Sequence, residues 1–277
     1  MGGATGAPTF TGMSDPSLQS ARAGLTARRL RAFDTIVLVL VLLALWHVVS
    51  KGTHGVAISP PLQTLIYLFS LLQTSGFWDH AVTTLEAFAL AFALSALLGL
   101  GLGLFLGGRR FAGEVIEPIL AGFYTIPKVT LYPVVLLLFG LGMSAKVFFG
   151  VIHGLVPMTL FTLGAVRNLP PVLVRTARAL RLSPQRTIRW VLVPACLPDI
   201  INGLRISFSL SFLGVLIGEM FSSQRGLGFL LVNGMAQNNV PLSTAVVTVI
   251  VVIAIAANTL MLRVGRRFAR RGDAAGG

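Results

Sequence analysis

The chain has 277 residues, a mean hydropathy of +0.84, 55% hydrophobic residues and only 11% charged ones. Soluble domains carry about 25% charged residues, which excludes a water-solvated globule, and no apolar–polar alternation of the kind that builds a membrane β-barrel is present. The formal charge of +13 does not point to nucleic acid, because the 22 Lys and Arg residues cluster beside apolar runs, as orientation signals do. These features describe an all-α, polytopic membrane protein. Its single cysteine, Cys196, rules out an internal disulfide and a Cys-rich metal site and reads as a small packing residue.

Residues 1–32, rich in Gly, Ser, Thr and Ala, read as a mobile tail. Six apolar runs follow, at roughly 34–50, 82–106, 114–141, 146–166, 200–220 and 242–262, each close to the ~20 residues that cross a bilayer as a helix. Arg28, Arg29 and Arg31 precede the first run as they would in a signal peptide, but no small-x-small cleavage site follows Val49, so the run is read as a retained helix. Residues 51–80 contain SPP at 59–61 and the amphipathic piece LQTLIYLFSLL, too short for a span and read as a surface helix.

The second run contains GLGLGLFLGG, whose Gly99, Gly103 and Gly107 recur every four residues and allow close helix approach in lipid. No strand precedes it, so it is not a dinucleotide fingerprint. Pro118, Pro127 and Pro133 interrupt the third run, and broken helices persist at membrane depth where they line a cavity or bury against protein. Residues 33–263 thus form the transmembrane domain, and 264–277 a basic tail. With the amino terminus inside, seventeen basic residues fall in cytoplasmic segments, whereas the external loops hold Lys51 and Arg225; Lys128, Lys146 and Arg205 lie in or beside spans. Both termini are therefore expected in the cytoplasm.

The most charged interior segment is the loop of about residues 168–198, containing RTARALRLSPQRTIRWVLVPACLP. At ~100° per residue, Leu173, Ala177 and Leu180 share one side of a helix, and Arg175, Arg178 and Arg181 another. Ser183 then reads as an N-cap and Pro184 as the first residue of a second short helix, with Val193-Pro194 expected to end it. This loop resembles the "EAA" loop of bacterial ABC importer permeases, keeping Ala177, Leu180, Ser183, Ile188, Val191, Pro194 and Pro198 in register. Arg175 stands where that family has Glu, Thr176 at its second position, and Arg181 where it has Gly. Arginine in the left-handed region costs roughly 1 kcal/mol more than glycine, which predicts a tighter, shifted or reshaped turn at 181.

The resemblance extends over about residues 58–265, and YTIPKVTLYPVVLLLFGLGMSAKV, LPDIINGLRISFSLSFLGVLIGEM and RGLGFLLVNG are similar to the sulfonate/nitrate/taurine branch. It implies an ABC importer type I transmembrane fold with cytoplasmic coupling helices, in the bacterial inner membrane. It further implies a homodimer of permeases, two ATPase subunits, an extracytoplasmic solute-binding protein and a small, anionic solute. Arg175, Arg178 and Arg181 are then expected to meet an acidic groove on the ATPase.

No Gly-Lys pair occurs anywhere, so the phosphate-binding GxxxxGK[ST] pattern is absent. No cofactor is assigned to this chain, and ATP and Mg are expected on the partner ATPase. His47, His54, His80 and His153 lack metal-ligand spacing, and no HExxH or GxSxG occurs, so the reading is not an enzyme. Ionisable residues at membrane depth are costly and mark transport paths. Glu86, placed about one turn inside its span, Lys128 after the Pro127 break, His153 and Glu219 are the candidates. A stand-alone secondary transporter or channel is the alternative, although such proteins usually carry internal repeats, which the chain does not show.

Overall fold

The computed structural model of the chain describes residues 16–273, without the side chains of 16–32, Pro184, Ser222, Val264 and 266–273. Every regular element among the described residues is helical, and the chain divides into two units, up to Pro61 and from Leu62.

The first unit is a long helix, α1 (Pro16–Gly52). Its apolar part, Phe33–Gly52, is long enough to span, and its Ile36, Leu38, Leu40 and Val48 are exposed, as suits a helix solvated by lipid. The Trp46 indole N–H donates to the Ser59 carbonyl at 2.9 Å, fixing the chain that leaves the helix. Composition assigned residues 1–32 to a tail, yet α1 already runs from Pro16 because LQSARAGLTARRLRAF is rich in strong helix formers. Residues 1–15 of that tail, and 274–277 of the basic one, lie outside the described residues.

The second unit opens with α2 (Pro61–Leu72), the expected short amphipathic helix. Three long helices, α3 (Ser75–Gly108), α6 (Met143–Arg167) and α9 (Val193–Ser222), make its core, with α6 packed between the other two. Between α3 and α6 the chain forms α4 (Arg110–Thr125), one 3-10 turn at Lys128–Leu131, and α5 (Tyr132–Phe139). After α9 come α10 (Leu227–Ala236) and α11 (Val240–Asp273).

Among the described residues five helices are long and apolar enough to span, and the bent pair around Pro127, taken as one broken span, makes a sixth, in line with the six apolar runs. The second run proves longer than read: α3 starts at Ser75, not near 82. The third is folded through 89° between Thr125 and Lys128. Proline disfavours the helical region for the residue before it, and Ile126 is extended at ψ 131. Pro118 sits inside α4 and Pro133 in the first turn of α5, so only Pro127 marks the elbow.

The glycine stripe explains why α3 and α6 lie together. A β-carbon on Gly99 would stand 2.6 Å from Met158 Cβ, on Gly103 2.4 Å from Thr162 Cβ, and on Gly107 2.7 Å from Val166 Cβ. The α6 partners also recur every four residues, so two parallel helices run backbone to side chain, and dispersion replaces the hydrophobic effect that lipid cannot supply. Gly154 beds against the hydroxyls of Ser95 on α3 and of Ser207 and Ser211 on α9. Cys196 packs with Met158, Ala165 and Ile200, as a small core residue.

Gly103→Val should therefore lower the thermal unfolding midpoint of the detergent-solubilised protein, costing at least about 1–3 kcal/mol. Gly101→Ala, which meets nothing within 4 Å, should leave the midpoint nearly unchanged.

Candidate functional site

Most of the predicted site residues fall in three places. The first is the basic loop. Its helix α7 (Pro171–Ala179) buries Ala177 and leaves Arg175, Arg178 and Arg181 exposed. Leu180, on the same side as Leu173 and Ala177, is 67% exposed, because it is the C-cap residue where the helix turns away. Arg181 takes the left-handed conformation, φ 48, that the glycine it replaces would favour. The Leu182 N–H reaches the Ala177 carbonyl at 3.0 Å and the Arg181 N–H that of Arg178 at 2.9 Å, a complete Schellman ending. The turn is thus neither lost nor reshaped, since two backbone hydrogen bonds outweigh roughly 1 kcal/mol of side-chain strain.

Ser183 caps α8 (Pro184–Thr187), accepting from the Arg186 N–H at 3.4 Å through Oγ. The helix was expected to stop at Val193-Pro194. It continues instead, through a π turn at Ile188–Leu192 and directly into α9. The Val193 N–H pairs with the Ile188 carbonyl, and this widened turn accommodates a proline that has no N–H and whose ring needs room beside the preceding turn. Pro198 lies inside α9. Around the arginines, Val172, Leu180, Ile188 and Trp190 are all exposed.

The second place is the elbow. Lys128 is buried, donates from Nζ to the Tyr124 carbonyl at 3.2 Å, and lies 5.0 Å from the centre of the Tyr124 ring. Among the described residues it enters no ion pair.

The third is a clamp at the far ends of α3 and α9. Glu219 is fully buried, and its carboxylate faces Lys146 Nζ at 3.4 Å. It accepts from the Thr84 hydroxyl at 2.8 Å and the Gly228 N–H at 3.0 Å. Thr84 in turn accepts from the Leu227 N–H at 2.8 Å, and His80 Nδ1 from the Gly226 N–H at 3.0 Å. Three successive amides at the start of α10 are thus received by three side chains, and the positive end of that helix faces the buried carboxylate. Gly226 has φ +121, and a β-carbon there would lie 2.2 Å from the Glu219 carboxyl carbon. The RGLG motif is glycine for that reason. Lys146 also donates to the Arg225 carbonyl at 3.2 Å.

Glu86 and His153 belong to none of these groups. Glu86 is exposed, and the longer α3 puts it eleven residues, about 16 Å, from the helix start rather than one turn. His153 is buried, with Nδ1 2.7 Å from the Phe149 carbonyl and its ring packed against Gly214 of α9. Glu86, Lys128, His153 and Glu219 make no hydrogen bond or ion pair with one another. Sequence reasoning missed Lys146, Thr84 and His80. The available signal was Lys146 itself, a cation inside the edge of an apolar run and therefore in need of a carboxylate.

Comparison with known proteins places this geometry in context. The family model described as "Binding-protein-dependent transport system inner membrane component" matches residues 95–272. A probable ABC transporter permease from Haemophilus influenzae is 31% identical over 229 residues, covering 82% of this chain and 93% of that protein. A putative aliphatic sulfonates transport permease from Bacillus subtilis is 28% identical, covering 72% of each chain. The taurine transport permease of Escherichia coli is 26% identical over 69% of this chain and 72% of its own. Among solved structures, an inward-facing MetNI methionine ABC transporter chain superposes with a TM-score of 0.56 at 20% identity, over 71% of this chain and 94% of that one.

Lys146→Met alone should destabilise by about 3–5 kcal/mol, since it strands a buried carboxylate. The double variant Lys146→Met/Glu219→Gln should recover much of that loss, read as thermal midpoints in one detergent. Arg181→Gly should gain about 1 kcal/mol without altering the loop.

Proposed function

Because the chain belongs to the binding-protein-dependent inner-membrane permease family of ABC importers, we propose that it forms the transport path for a small anionic solute. A solute-binding protein delivers that solute from outside, and separate ATPase subunits drive the cycle. The chain performs no covalent chemistry; ATP and Mg are held by the ATPase. Two permease copies and two ATPase subunits make the assembly, with both termini of this chain in the cytoplasm.

The observation that carries this reading is the surface of the basic loop. Apolar Leu180, Ile188 and Trp190 stand exposed among Arg175, Arg178, Arg181, Arg186 and Arg189, a mixture suited to a protein groove with acidic walls. Buried Ala177 anchors the loop, and the uninterrupted passage from α8 into α9 transmits its displacement along the core. ATPase closure then moves α9 against α3 and α6, and the path alternates between its two openings. The anionic class of solute rests on Lys128, a buried cation without a carboxylate partner among the described residues, and on the sulfonate and taurine named for two relatives.

Two experiments test this. Charge reversal of Arg175, Arg178 and Arg181 to Glu should abolish both copurification of the ATPase and ATP-driven uptake; retention of both sinks the docking surface. Lys128→Met should abolish uptake while leaving the assembly intact, and normal transport by that variant removes Lys128 from the path.

A further inference from the structure

Arg205 is the intramembrane cation that neither the clamp nor the elbow accounts for. It lies twelve residues, about 18 Å of rise, along α9 from Val193. It lines a cleft of about 620 Å³ with Tyr124, Ser209 and Asn258. Its Nε donates to Asn258 Oδ1 at 3.1 Å, and no other hydrogen bond of its guanidinium is formed among the described residues. The Asn258 contact uses that residue's oxygen and leaves its amide N–H groups available. The wall therefore offers guanidinium N–H and amide N–H, while the Ser209 hydroxyl donates to the Arg205 carbonyl at 3.3 Å, and the lining contains no carboxylate.

The three buried or half-buried cations of the core differ in one respect. Lys146 is matched by Glu219. Lys128 and Arg205 enter no ion pair among the described residues, although an unmatched charge at membrane depth is costly. Both lie near Tyr124, whose ring carries the Lys128 ammonium at 5.0 Å and which lines the Arg205 cleft. Two cations unmatched among the described residues, both near one aromatic, leave a positive potential that a passing anion neutralises.

We propose that the Arg205 cleft is an intramembrane subsite for the oxyanion head of the solute. It takes a singly charged sulfonate-type group, held by the free fork of Arg205 and by Asn258, with Lys128 adding long-range attraction from beside Tyr124. The guanidinium is the suited cation, since its planar donors match two oxygens at once and it is weakly hydrated. The cleft is open rather than closed, as a site that must also release its occupant requires. This inference rests on the importer reading and adds where the charge of the solute is held.

The test is calorimetric titration of the purified complex in nanodiscs with propanesulfonate, and with the uncharged propyl methyl sulfone for comparison. The wild type should bind the sulfonate saturably and the sulfone not at all. Arg205→Gln should weaken sulfonate binding by about tenfold or more, the loss of a hydrogen-bonded charge. Asn258→Asp, close in size, should do the same by pairing with Arg205 internally, and it keeps the test alive if Arg205→Gln does not fold. Absence of saturable binding in the wild type, equal binding of the sulfone, or unchanged affinity in either variant overturns the subsite. ATP hydrolysis stimulated by the binding protein, measured on the same wild-type preparation, reports on the importer reading separately.

Discussion

A buried carboxylate needs its charge answered, and at Glu219 the answer organises one end of the molecule. Its partners come from three neighbouring helices: Lys146 from α6, Thr84 from α3, and the Gly228 amide of α10. Each contact is ordinary, yet together they tie the connection after α9 to two other core helices. A neutral core would pack as tightly, since a buried ion pair is weak support for stability. What the charge adds is selectivity among arrangements, because any shift of α9 that separates Glu219 from Lys146 strands both in a low dielectric.

The packing beneath the clamp has the opposite character. Glycine and serine, not bulk, bring α3, α6 and α9 together, with Gly99, Gly103, Gly107, Gly150 and Gly154 all in direct contact with a neighbouring helix. Interfaces of small residues have few interlocking side chains to unlock when helices slide. The core is therefore close-packed along its length and specified by charge at one end.

Much of this was legible in the chain. Spans, the Pro127 elbow, the glycine stripe and the Ser183 cap follow from local rules of length, ring geometry and spacing, and those rules held. What local reading failed to reach was pairing across distance. Glu219 and Lys146 are separated by 73 positions and Thr84 by 135, so nothing in any window announces their meeting. Arg205 was counted only as a charge beside a span, since its partner Asn258 lies on another helix. The errors inside the basic loop were of another kind. Arg181 and Pro194 were read by their own preferences, and the backbone hydrogen bonds of a Schellman ending and a π turn overrode both.

The π turn has one more consequence. In a regular α-helix, inserting or deleting a residue turns everything beyond it by about 100°, which here would swing Glu219 away from its partners. A π turn already holds one residue more than the helix requires, so Ile188–Leu192 can absorb the loss of one residue by tightening to α geometry. The chain's length is thus negotiable between the basic loop and α9, and fixed from Val193 onward.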